Sequence, residues 1–253
     1  MLKDQVILIT GSNEGIGFAI AQLCHKYGAK VILHGLDADQ LETSASKISP
    51  DVSYVAADLR NAEAPQKIID FVIKKYGRID GLVNNAGRLD RCTIESIDDD
   101  LFDEIMIINT RAPIMLIKAA LPHMEKQLNG GSIVNIGSVH AHGGAAKVLL
   151  YSMTKAALMT ATRNLGNALS QRLVRVNQMN VGWTETENEH KIQASEGKPK
   201  NWLDNISKTL APTGKILTSL QVAEHVAFWL SIKSAPVTGQ VVDIEQYPII
   251  GRF

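Results

Sequence analysis

The sequence predicts an α/β fold, in which parallel strands form an open, doubly wound sheet that helices cover on both faces. Short apolar runs of strand length recur along the chain and alternate with segments of helical period. The first run, Val6–Ile9, is continuously apolar, which is typical of a strand buried on both faces. A glycine-rich turn follows it at once and leads into a helix. This strand–turn–helix order predicts a parallel sheet built from βαβ units.

Length and composition favour one soluble domain spanning residues 1–253. The chain has 253 residues, of which 45% are apolar, enough for a substantial core in one α/β domain. Its 26 basic and 26 acidic residues balance. This leaves no electrostatic footprint for nucleic acid or an acidic membrane surface.

Cysteine usage and apolar segments predict a cytoplasmic protein. Cys24 and Cys92 lie far apart and outside any Cys-x-x-Cys spacing, so we expect reduced thiols rather than a disulfide or a zinc site. The apolar segment near the N-terminus is too short for the core of a signal peptide. No stretch is expected to reach the length of a membrane span.

The glycine-rich turn at residues 10–17 predicts a dinucleotide site. Gly11 permits the tight turn, Gly15 lets the backbone approach a pyrophosphate, and Gly17 lets the next helix pack closely. The helix that follows offers free amides to an anion. A plain glycine turn is the alternative, but the position between strand and helix favours nucleotide binding. The residues assigned to the cofactor here are Gly11, Asn13, Glu14, Gly15, Ile16 and Gly17.

The end of the second strand, at residues 34–37, predicts NAD rather than NADP as cofactor. This is where such folds meet the adenosine ribose. No basic residue occurs at positions 35–37, Asp37 lies nearby, and Glu14 stands in the glycine turn. A carboxylate accepts the 2′-hydroxyl and repels a 2′-phosphate. Gly35, however, occupies the position where an acid would favour NAD most directly.

Further loops are expected at the same edge of the sheet. Asp58 and Leu59 follow a third strand at 52–56 and are assigned to the adenine. A short strand at 82–83 leads into residues 84–87, where Asn85, Ala86 and Gly87 suit the wall of a flat ligand site; a simple β-turn is the alternative. After two helical segments within 98–129, a strand at 132–136 ends in Ser138. Loops at the carboxyl ends of parallel strands share one edge, where ligands bind.

Tyr151 and Lys155 supply the candidate chemistry. Four residues apart on a helix, they lie one above the other on the same face. A phenol that acts as a base near neutral pH needs its pKa lowered by roughly 3 units, or about 4 kcal/mol. A neighbouring ammonium in a partly dry cleft can supply much of this. Ser138 would hold the substrate oxygen. Alone, the pair would be read as an ordinary helix surface.

These motifs together resemble the short-chain dehydrogenase/reductase family. The matching residues are 10–17, Asp58, 84–87, Asn109, Ser138, Tyr151 and Lys155, in the family's order and spacing over about two thirds of the chain. The resemblance implies a Rossmann-like sheet of about seven parallel strands, a nicotinamide cofactor and a homotetramer.

The resemblance also implies residue roles. Tyr151 would be the general acid/base, Lys155 would also bind the nicotinamide ribose, Ser138 would position the reacting oxygen, and Asn109 would support a water-borne proton relay. Gly182 and Thr184 fit the positions near the nicotinamide carboxamide. Family members usually carry proline before that glycine, whereas this chain has Val181, which lacks a fixed φ.

The polar segment at about 183–214 is predicted to be a substrate lid. A solvated surface excursion is the alternative for most of its charges. Trp202 is expected to pack onto something, and Trp183, Trp202, His140 and His142 are assigned to the substrate pocket. A His-x-His metal site is disfavoured because no third ligand is marked, so no metal is predicted. The apolar tail at 247–253 is expected at a subunit interface or beside a pocket.

The polar lid favours a small hydroxylated substrate. We therefore expect an NAD-dependent enzyme that oxidises a sugar or polyol hydroxyl. An NADPH-dependent ketone or acyl-thioester reductase is the alternative within enzymes. A non-catalytic dinucleotide-sensing protein is the alternative of another class, and Tyr151 together with Lys155 argues against it.

Overall fold

A parallel sheet of seven strands forms the centre of the protein. The computed structural model describes residues 1–143 and 145–249. In chain order, the strands of the central sheet are β1 (Val6–Ile9), β2 (Lys30–Gly35), β3 (Ser53–Ala56), β4 (Gly81–Asn84), β5 (Gly131–Ser138), β6 (Val174–Val181) and β9 (Val241–Ile244). Their order across the sheet is β3-β2-β1-β4-β5-β6-β9. This confirms the predicted parallel α/β sheet.

Helices connect these strands on both faces. The helices are α1 (Gly15–Lys26), α2 (Ala38–Ile48), α3 (Ala64–Tyr76), α4 (Asp99–Met106), α5 (Ala112–Met124), α6 (Leu149–Leu169), α7 (Glu187–Ser195) and α8 (Ser219–Leu230). Gly77 ends α3 with a φ of 73°, the left-handed conformation that is typical of a glycine C-cap.

The burial of β1 on both faces explains why its sequence is continuously apolar. Ile7 and Ile9 belong to the core that α1 and α8 cover, whereas Val6 and Leu8 belong to the core beneath α3 and α5. All four are fully buried. Because successive side chains point to opposite faces, a strand between two helical layers must be apolar at every position.

The topology brings the predicted loops to one edge. β1 pairs with β2 on one side and with β4 on the other, so the order of the strands reverses there. The turns after β1, β4 and β5 all leave the carboxyl edge of the sheet, beside this reversal. In open α/β sheets this is the place where ligands bind.

The segment at 183–214 contains more regular structure than the sequence predicted. It begins with a short strand, β7 (Thr184–Glu185), which pairs with β8 (Leu217–Thr218) in a separate two-stranded sheet, and α7 follows. Trp202 is buried and packs with Ala211 and Ile216, as expected for an apolar ring amid charges. The two-stranded sheet was not predicted because each strand has only two residues.

The helical stretch Asp99–Met124 consists of α4, a π turn at Ile107–Arg111, and α5. By length and composition alone it could cross a membrane: its most apolar window has a mean hydropathy of 1.3. The expectation that no stretch reaches this length was therefore wrong. Core helices of soluble proteins pass the same test, and 44% of this window is buried inside the protein.

Residues 250–253 of the apolar tail lie outside the described residues, so the expected contact of this tail is not tested.

Candidate active site

Helix α6 carries Tyr151 and Lys155 on one face, one turn apart, as the sequence predicts. Lys155 is buried, and its ammonium nitrogen lies 5.5 Å from the centre of the Tyr151 ring. The same nitrogen donates a 2.7 Å hydrogen bond to the carbonyl oxygen of Ile136, on β5. The lysine side chain is therefore fixed between its own helix and the central sheet.

Ser138 ends β5 and reaches the tyrosine. Its side chain is buried, and its hydroxyl lies close enough to the Tyr151 phenol to favour a lower pKa of that phenol. The Ser138 oxygen also accepts a 3.2 Å hydrogen bond from the backbone N–H of His140. This contact caps the short 3₁₀ turn Val139–His142 and orients the hydroxyl.

Burial is the main cause of the pKa shifts of Tyr151 and Lys155. It raises the pKa of Tyr151, and the hydrogen bond with Ser138 acts in the opposite direction as the smaller effect. It lowers the pKa of Lys155 to about 8. The sequence argument expected a net lowering of the tyrosine pKa. The structure has the opposite direction because loss of water around the phenol outweighs the stabilisation of the phenolate.

Asn109 lies within the π turn that joins α4 and α5, and its amide is fully engaged. The nitrogen donates to the carbonyl oxygen of Arg88 at 2.8 Å and to the hydroxyl of Thr154 at 3.1 Å. The amide oxygen accepts from the backbone N–H of Arg88 at 2.8 Å. Asn109 thus ties the loop after β4 to α6. Single π turns within α-helices are frequent at functional sites.

The glycine turn has the close contacts that the sequence predicts. Gly11 has a φ of 59°, and a Cβ there would lie 2.8 Å from the Cα of Ala86. A Cβ on Gly17 would lie 2.3 Å from the carbonyl oxygen of Gly11. The Asn85 side chain donates to the carbonyl oxygens of Thr10 and Gly11, so it supports the turn from behind.

A cavity of about 650 Å³ opens in front of this turn. This volume is within the usual range for ligand sites. Eight of the predicted cofactor residues line it, namely Gly11, Asn13, Glu14, Asp37, Asp58, Leu59, Ala86 and Gly87. A Cβ on Gly87 would lie 3.4 Å from the Lys155 ammonium and 3.5 Å from the Asn109 amide oxygen. The cavity wall therefore adjoins the candidate catalytic residues, and the residues present fit a dinucleotide.

The other predicted cofactor residues do not line this cavity. Gly15 and Ile16 begin α1, and Ile16 packs against the core. A Cβ on Gly15 would lie 3.7 Å from the Thr186 side chain, so the base of the predicted lid reaches the glycine turn. Gly182 donates its N–H to Ile244, and the hydroxyl of Thr184 donates to the carbonyl oxygen of Gly182.

Val181 replaces the proline usual in the family without distorting the end of β6. Its side chain is buried in the core, and it pairs in register with Ser138 and Ile244. A hydrogen bond from Gly182 extends this pairing beyond the strand. Strand pairing therefore supplies the order that the fixed φ of proline would otherwise supply.

Four titratable residues of the cavity wall escaped the sequence analysis, namely His34, Arg60, Arg88 and Glu104. His34 is buried; it lies 3.5 Å from the backbone N of Gly11 through Nδ1 and 3.1 Å from the carbonyl oxygen of Ala57 through Nε2. Burial lowers the pKa of His34 to about 4, so the neutral ring links the glycine turn to β3. Arg60 and Arg88 both pair with Glu104. Arg60 and Arg88 carried a signal in the sequence, since each directly follows a predicted ligand loop.

The predicted substrate residues fall into three places. The His140 ring lies edge-on to the Tyr151 ring, with 6.4 Å between centres. His142 turns to Asp243, with 2.9 Å between Nε2 and Oδ1. Trp183 and Trp202 stack on each other at 5.4 Å, and the Lys198 ammonium lies within 6 Å of both rings. Of these four residues, the structure brings His140 into ring contact with Tyr151.

Comparison with known proteins finds relatives along nearly the whole chain. The family model described as enoyl-(acyl carrier protein) reductase matches residues 11–246. Short chain dehydrogenase adrF from Penicillium rubens is 31% identical over 256 residues, which cover 97% of each chain. Galactitol 2-dehydrogenase from Agrobacterium fabrum is 30% identical over 249 residues, which cover 96% of this chain and 97% of the relative.

A solved structure agrees with these relatives. The crystal structure of 3-ketoacyl-(acyl-carrier-protein) reductase from Brucella melitensis, complexed with NADH, has a TM-score of 0.85 at 27% identity. The match covers 96% of this chain and 98% of that chain. The fold, the residues around Tyr151 and these matches agree: the chain belongs to the short-chain dehydrogenase/reductase family of NAD(P)-dependent oxidoreductases.

Proposed function

We propose that this enzyme uses NAD to interconvert a hydroxyl and a carbonyl on a small polar substrate, a sugar or a polyol. The observation that carries the proposal is the group of three side chains beside the cavity. The Tyr151 phenol lies beside the Ser138 hydroxyl and against the buried Lys155. A proton donor, an oxygen-positioning hydroxyl and a cation at one sheet edge suit proton transfer at a carbinol.

In this proposal each residue has a defined task. Tyr151 gives its proton to the carbonyl oxygen in reduction and removes the hydroxyl proton in oxidation. Ser138 holds the same substrate oxygen through its hydroxyl. Lys155 stabilises the phenolate by its charge, and its burial strengthens this interaction. Asn109 holds the wall of the site against α6 and supports proton transfer to water.

The cofactor would lie in the 650 Å³ cavity, with its pyrophosphate at the glycine turn and the N-terminus of α1. Gly87 leaves room beside Lys155 for the ribose, and Gly182 and Thr184 would face the carboxamide. When bound, the nicotinamide supplies or accepts the hydride. The protein holds the substrate carbon and oxygen in line with it.

Two features of the cavity support NAD over NADP. Asp37 lines the cavity and caps α2 through one carboxylate oxygen, which leaves the other for a ribose hydroxyl. The two arginines in the wall already have acidic partners: Arg60 pairs with Asp58 and Glu104, and Arg88 pairs with Asp90 and Glu104. A 2′-phosphate would meet no uncommitted cation among these residues.

Replacement of Asp37 by Asn tests the cofactor assignment. Asparagine caps a helix about as well as aspartate, so α2 should persist while the negative charge is lost. We expect the ratio of NAD to NADP affinity, measured by fluorescence titration, to fall by about tenfold, with Asp39→Asn as the matched control. Tighter binding of NADPH than of NADH by the unmodified enzyme would contradict the assignment to NAD.

A polar lid supports the sugar or polyol substrate. Residues 183–214 would act as the lid, and Glu189, His190 and Gln193 give its α7 helix polar side chains. Glu189 and His190 also hold Trp183 and Trp202 through their indole N–H groups. The similarity to a galactitol 2-dehydrogenase points in the same direction.

The alternative enzyme is an NADPH-dependent ketone or acyl-thioester reductase. The family model and the structural neighbour carry acyl-carrier-protein reductase names. A panel of aldoses, polyols, simple secondary alcohols and acyl-thioester ketones, each with both cofactors, separates the two. Turnover confined to hydrophobic alcohols or to thioesters with NADPH would overturn the sugar proposal.

The decisive variant is Tyr151→Phe, which removes one hydroxyl and keeps the ring packing. We expect kcat to fall by at least about a thousandfold, because the proton donor is gone, while NADH still binds. Retention of turnover would refute the mechanism. If no substrate is turned over by the unmodified enzyme and NADH still binds, a non-catalytic dinucleotide-sensing role becomes the better conclusion.

We also propose a cytoplasmic homotetramer. Exposed apolar side chains, Ile94 and Met153 among them, surround a second cavity of about 660 Å³ beside the N-terminal half of α6. Apolar patches of this kind are typical of interaction surfaces. Sedimentation velocity should give a tetramer for the unmodified chain and smaller species for Met153→Glu. A monomer at micromolar concentration would contradict the proposal.

A further inference from the structure

A row of buried polar side chains crosses the central sheet beneath α6. Five of them are fully or almost fully buried, namely Asn84, Asn135, Thr162, Gln178 and Asn180. Each is linked to the next. The bonds run from Asn84 to Asn135 at 2.8 Å, from Asn135 to Thr162 at 2.9 Å, from Thr162 to Gln178 at 3.1 Å, and from Gln178 to Asn180 at 2.7 Å. Among the described residues, the buried amide oxygen of Asn84 has no partner in this row. Networks of linked buried side chains favour one arrangement of the groups they join.

Gly137 makes this row possible. A Cβ at position 137 would lie 2.2 Å from the amide oxygen of Asn180 and 2.4 Å from the amide nitrogen of Gln178. Gly137 and Asn180 face each other in register on β5 and β6. The two amides therefore occupy the space of a missing side chain, one residue before Ser138.

The row ends at a carboxylate that holds a histidine. Asp243 Oδ1 lies 3.0 Å from the Asn180 amide nitrogen and 2.9 Å from His142 Nε2. An ionised carboxylate only accepts hydrogen bonds, so His142 Nε2 must carry the proton it donates. The 3.3 Å approach of the Asn180 nitrogen to the same Nε2 then joins two donors and contributes no bond. Asn180 fixes Asp243, and Asp243 fixes His142.

His142 is the last residue of the short turn that begins beside Ser138. At the other end of this turn, the Ser138 hydroxyl accepts the His140 N–H, and the His140 ring lies against Tyr151. The pairing of His142 with Asp243 thus fixes the other end of the turn that carries Ser138 and His140. Gly143 follows with a φ of 105°. Glycine restricts the backbone less than other residues do, so it contributes little to fixing the end of the turn.

We propose that His142 is a positioning residue for the reaction, acting through the Asp243–Asn180 contact to hold the Ser138–His140 turn over Tyr151. This inference rests on the proposed function. It concerns the contact of His142 Nε2 with Asp243 and not a direct contact with the substrate. The buried amides are the rigid base that makes the contact effective.

Three variants test the role of this pair in steady-state kinetics. We expect His142→Ala to lower kcat by roughly 10- to 100-fold, as misplacement of a reacting group by about 1 Å does, while the KM for the cofactor stays unchanged. Asp243→Ala should have a similar effect. The double variant should cost no more than the worse single variant, because the two residues act as a unit. His142→Gln, whose amide can donate to the same oxygen, should recover most of kcat.

Two outcomes would overturn the inference. One is a rise in substrate KM with kcat intact in His142→Ala, which would indicate direct substrate contact. The other is a kcat within about twofold of the unmodified enzyme. His225→Ala, at an exposed site on α8, is the matched control and should behave as the unmodified enzyme.

Hydrogen–deuterium exchange supplies a readout that needs no substrate. In His142→Ala we expect faster exchange of the 138–143 segment and unchanged exchange in β1 and α1, together with near-normal thermal unfolding. Unchanged exchange at 138–143 would also refute the positioning role. Failure of the proposed function is recognised separately, by an active Tyr151→Phe or by absence of turnover in the unmodified enzyme.

Discussion

Lys155 shows how a single residue that we propose to take part in the chemistry can destabilise the fold. Its ammonium is buried with one carbonyl partner, Ile136, and burial lowers its pKa to about 8. The unfolded chain keeps the proton up to about 10.5, the ordinary value. The folded state therefore pays for the buried charge below pH 8, and this cost disappears as the pH rises toward 10.5.

Replacement of Lys155 by Met should stabilise the protein while abolishing activity. Methionine fills a similar volume without a charge, so we expect Tm at pH 7 to rise by roughly 2–4 °C, as for a gain of about 1 kcal/mol in a chain of this size. Between pH 8 and 10.5 the gain should vanish. Calorimetry over this range measures it, with the exposed Lys118→Met as control. A loss of stability at pH 7 would contradict the assigned cost.

Tyr151 leads to a prediction about pH and direction. Because burial raises its pKa, the phenol is protonated at neutral pH. On the proposed roles, kcat/KM for alcohol oxidation should rise about tenfold per pH unit through neutral pH, whereas carbonyl reduction should be level there and fall only at high pH. Initial rates in both directions from pH 6 to 10 check this. An oxidation rate that is level between pH 7 and 9 would disagree.

At this scale the sequence predicted which residues meet but not their protonation. The spacing of Tyr151 and Lys155 follows from helix geometry, so their shared face was predictable. The direction of the tyrosine pKa depends on how much water surrounds the phenol, which no local pattern encodes. The commitment of His142 to Asp243 was equally hidden, since 101 residues separate the two.

The position of helix α6 in the fold depends on a close contact between two glycines. Its position against the sheet depends on Gly166, where a Cβ would lie 2.3 Å from the Cα of Gly239 in the turn before β9. Backbone meets backbone there, so no side chain can move aside. The helix carrying Tyr151 and Lys155 is thereby set close to the last strand.

Gly166→Ala should therefore destabilise the protein although alanine favours helices. We expect a loss of about 1–3 kcal/mol in the free energy of unfolding, the usual cost of overpacking. Urea denaturation measures it. Asn164→Ala, exposed on the same helix, should change this free energy by no more than about 0.5 kcal/mol. Equal effects of both changes would show that the close approach to Gly239 yields easily.

The predicted lid is joined to the opposite wall of the site by an ion pair. Arg91, in the loop after β4, contacts Glu196, at the end of α7, at 2.8 Å. The side chains are 44% and 35% exposed, so the pair contributes at most about 1 kcal/mol. Burial lowers the pKa of His140, and the charge of Arg91 adds a smaller effect in the same direction.

Glu196→Gln should loosen this closure. We expect substrate KM to rise roughly 2- to 5-fold with little change in kcat, in line with an exposed pair of at most about 1 kcal/mol. The difference from the unmodified enzyme should shrink at high salt, which screens such pairs. Glu187→Gln, exposed on the same helix, is the control. An unchanged substrate KM at low salt would show that the Arg91–Glu196 pair does not help to hold the lid over the site.

The sequence predicted the main elements because each has a strong local signal, such as the apolar run of β1 or the glycine that ends α3. It missed features set by packing. The π turn around Asn109 has no periodic signature, and the pairing of β7 with β8 depends on the path of the whole lid.

In the whole molecule, a cavity lined by the first half of the chain adjoins a helix of the second half. The cavity contains the glycine turn and Gly87, and a Cβ on Gly87 would lie 3.4 Å from the Lys155 ammonium. The loops after β1 and β4 come together because these strands are neighbours in the sheet. Thr186, at the base of the predicted lid, lies close to Gly15 in the glycine turn. Fold class and the site edge were predictable from βαβ logic, since parallel connections place all these loops together.

Cofactor binding should therefore stabilise the entire protein. At 100 times its Kd, NAD should add about 2.7 kcal/mol, which corresponds to a rise in Tm of roughly 5–10 °C. Differential scanning fluorimetry with NAD and NADP at equal concentrations measures this, with the Asp37→Asn variant alongside. An equal or larger shift with NADP would contradict the proposed preference.

The close fit of Gly137 against two amides has an evolutionary consequence. Positions 137, 178 and 180 share one volume, so we expect them to covary among related sequences. Lineages that keep Gln178 and Asn180 must keep the glycine, whereas those with small apolar residues at 178 and 180 are free to carry a side chain at 137. Acquiring the amides on a background that lacked the glycine would have needed an ordered path, with the loss of a side chain first.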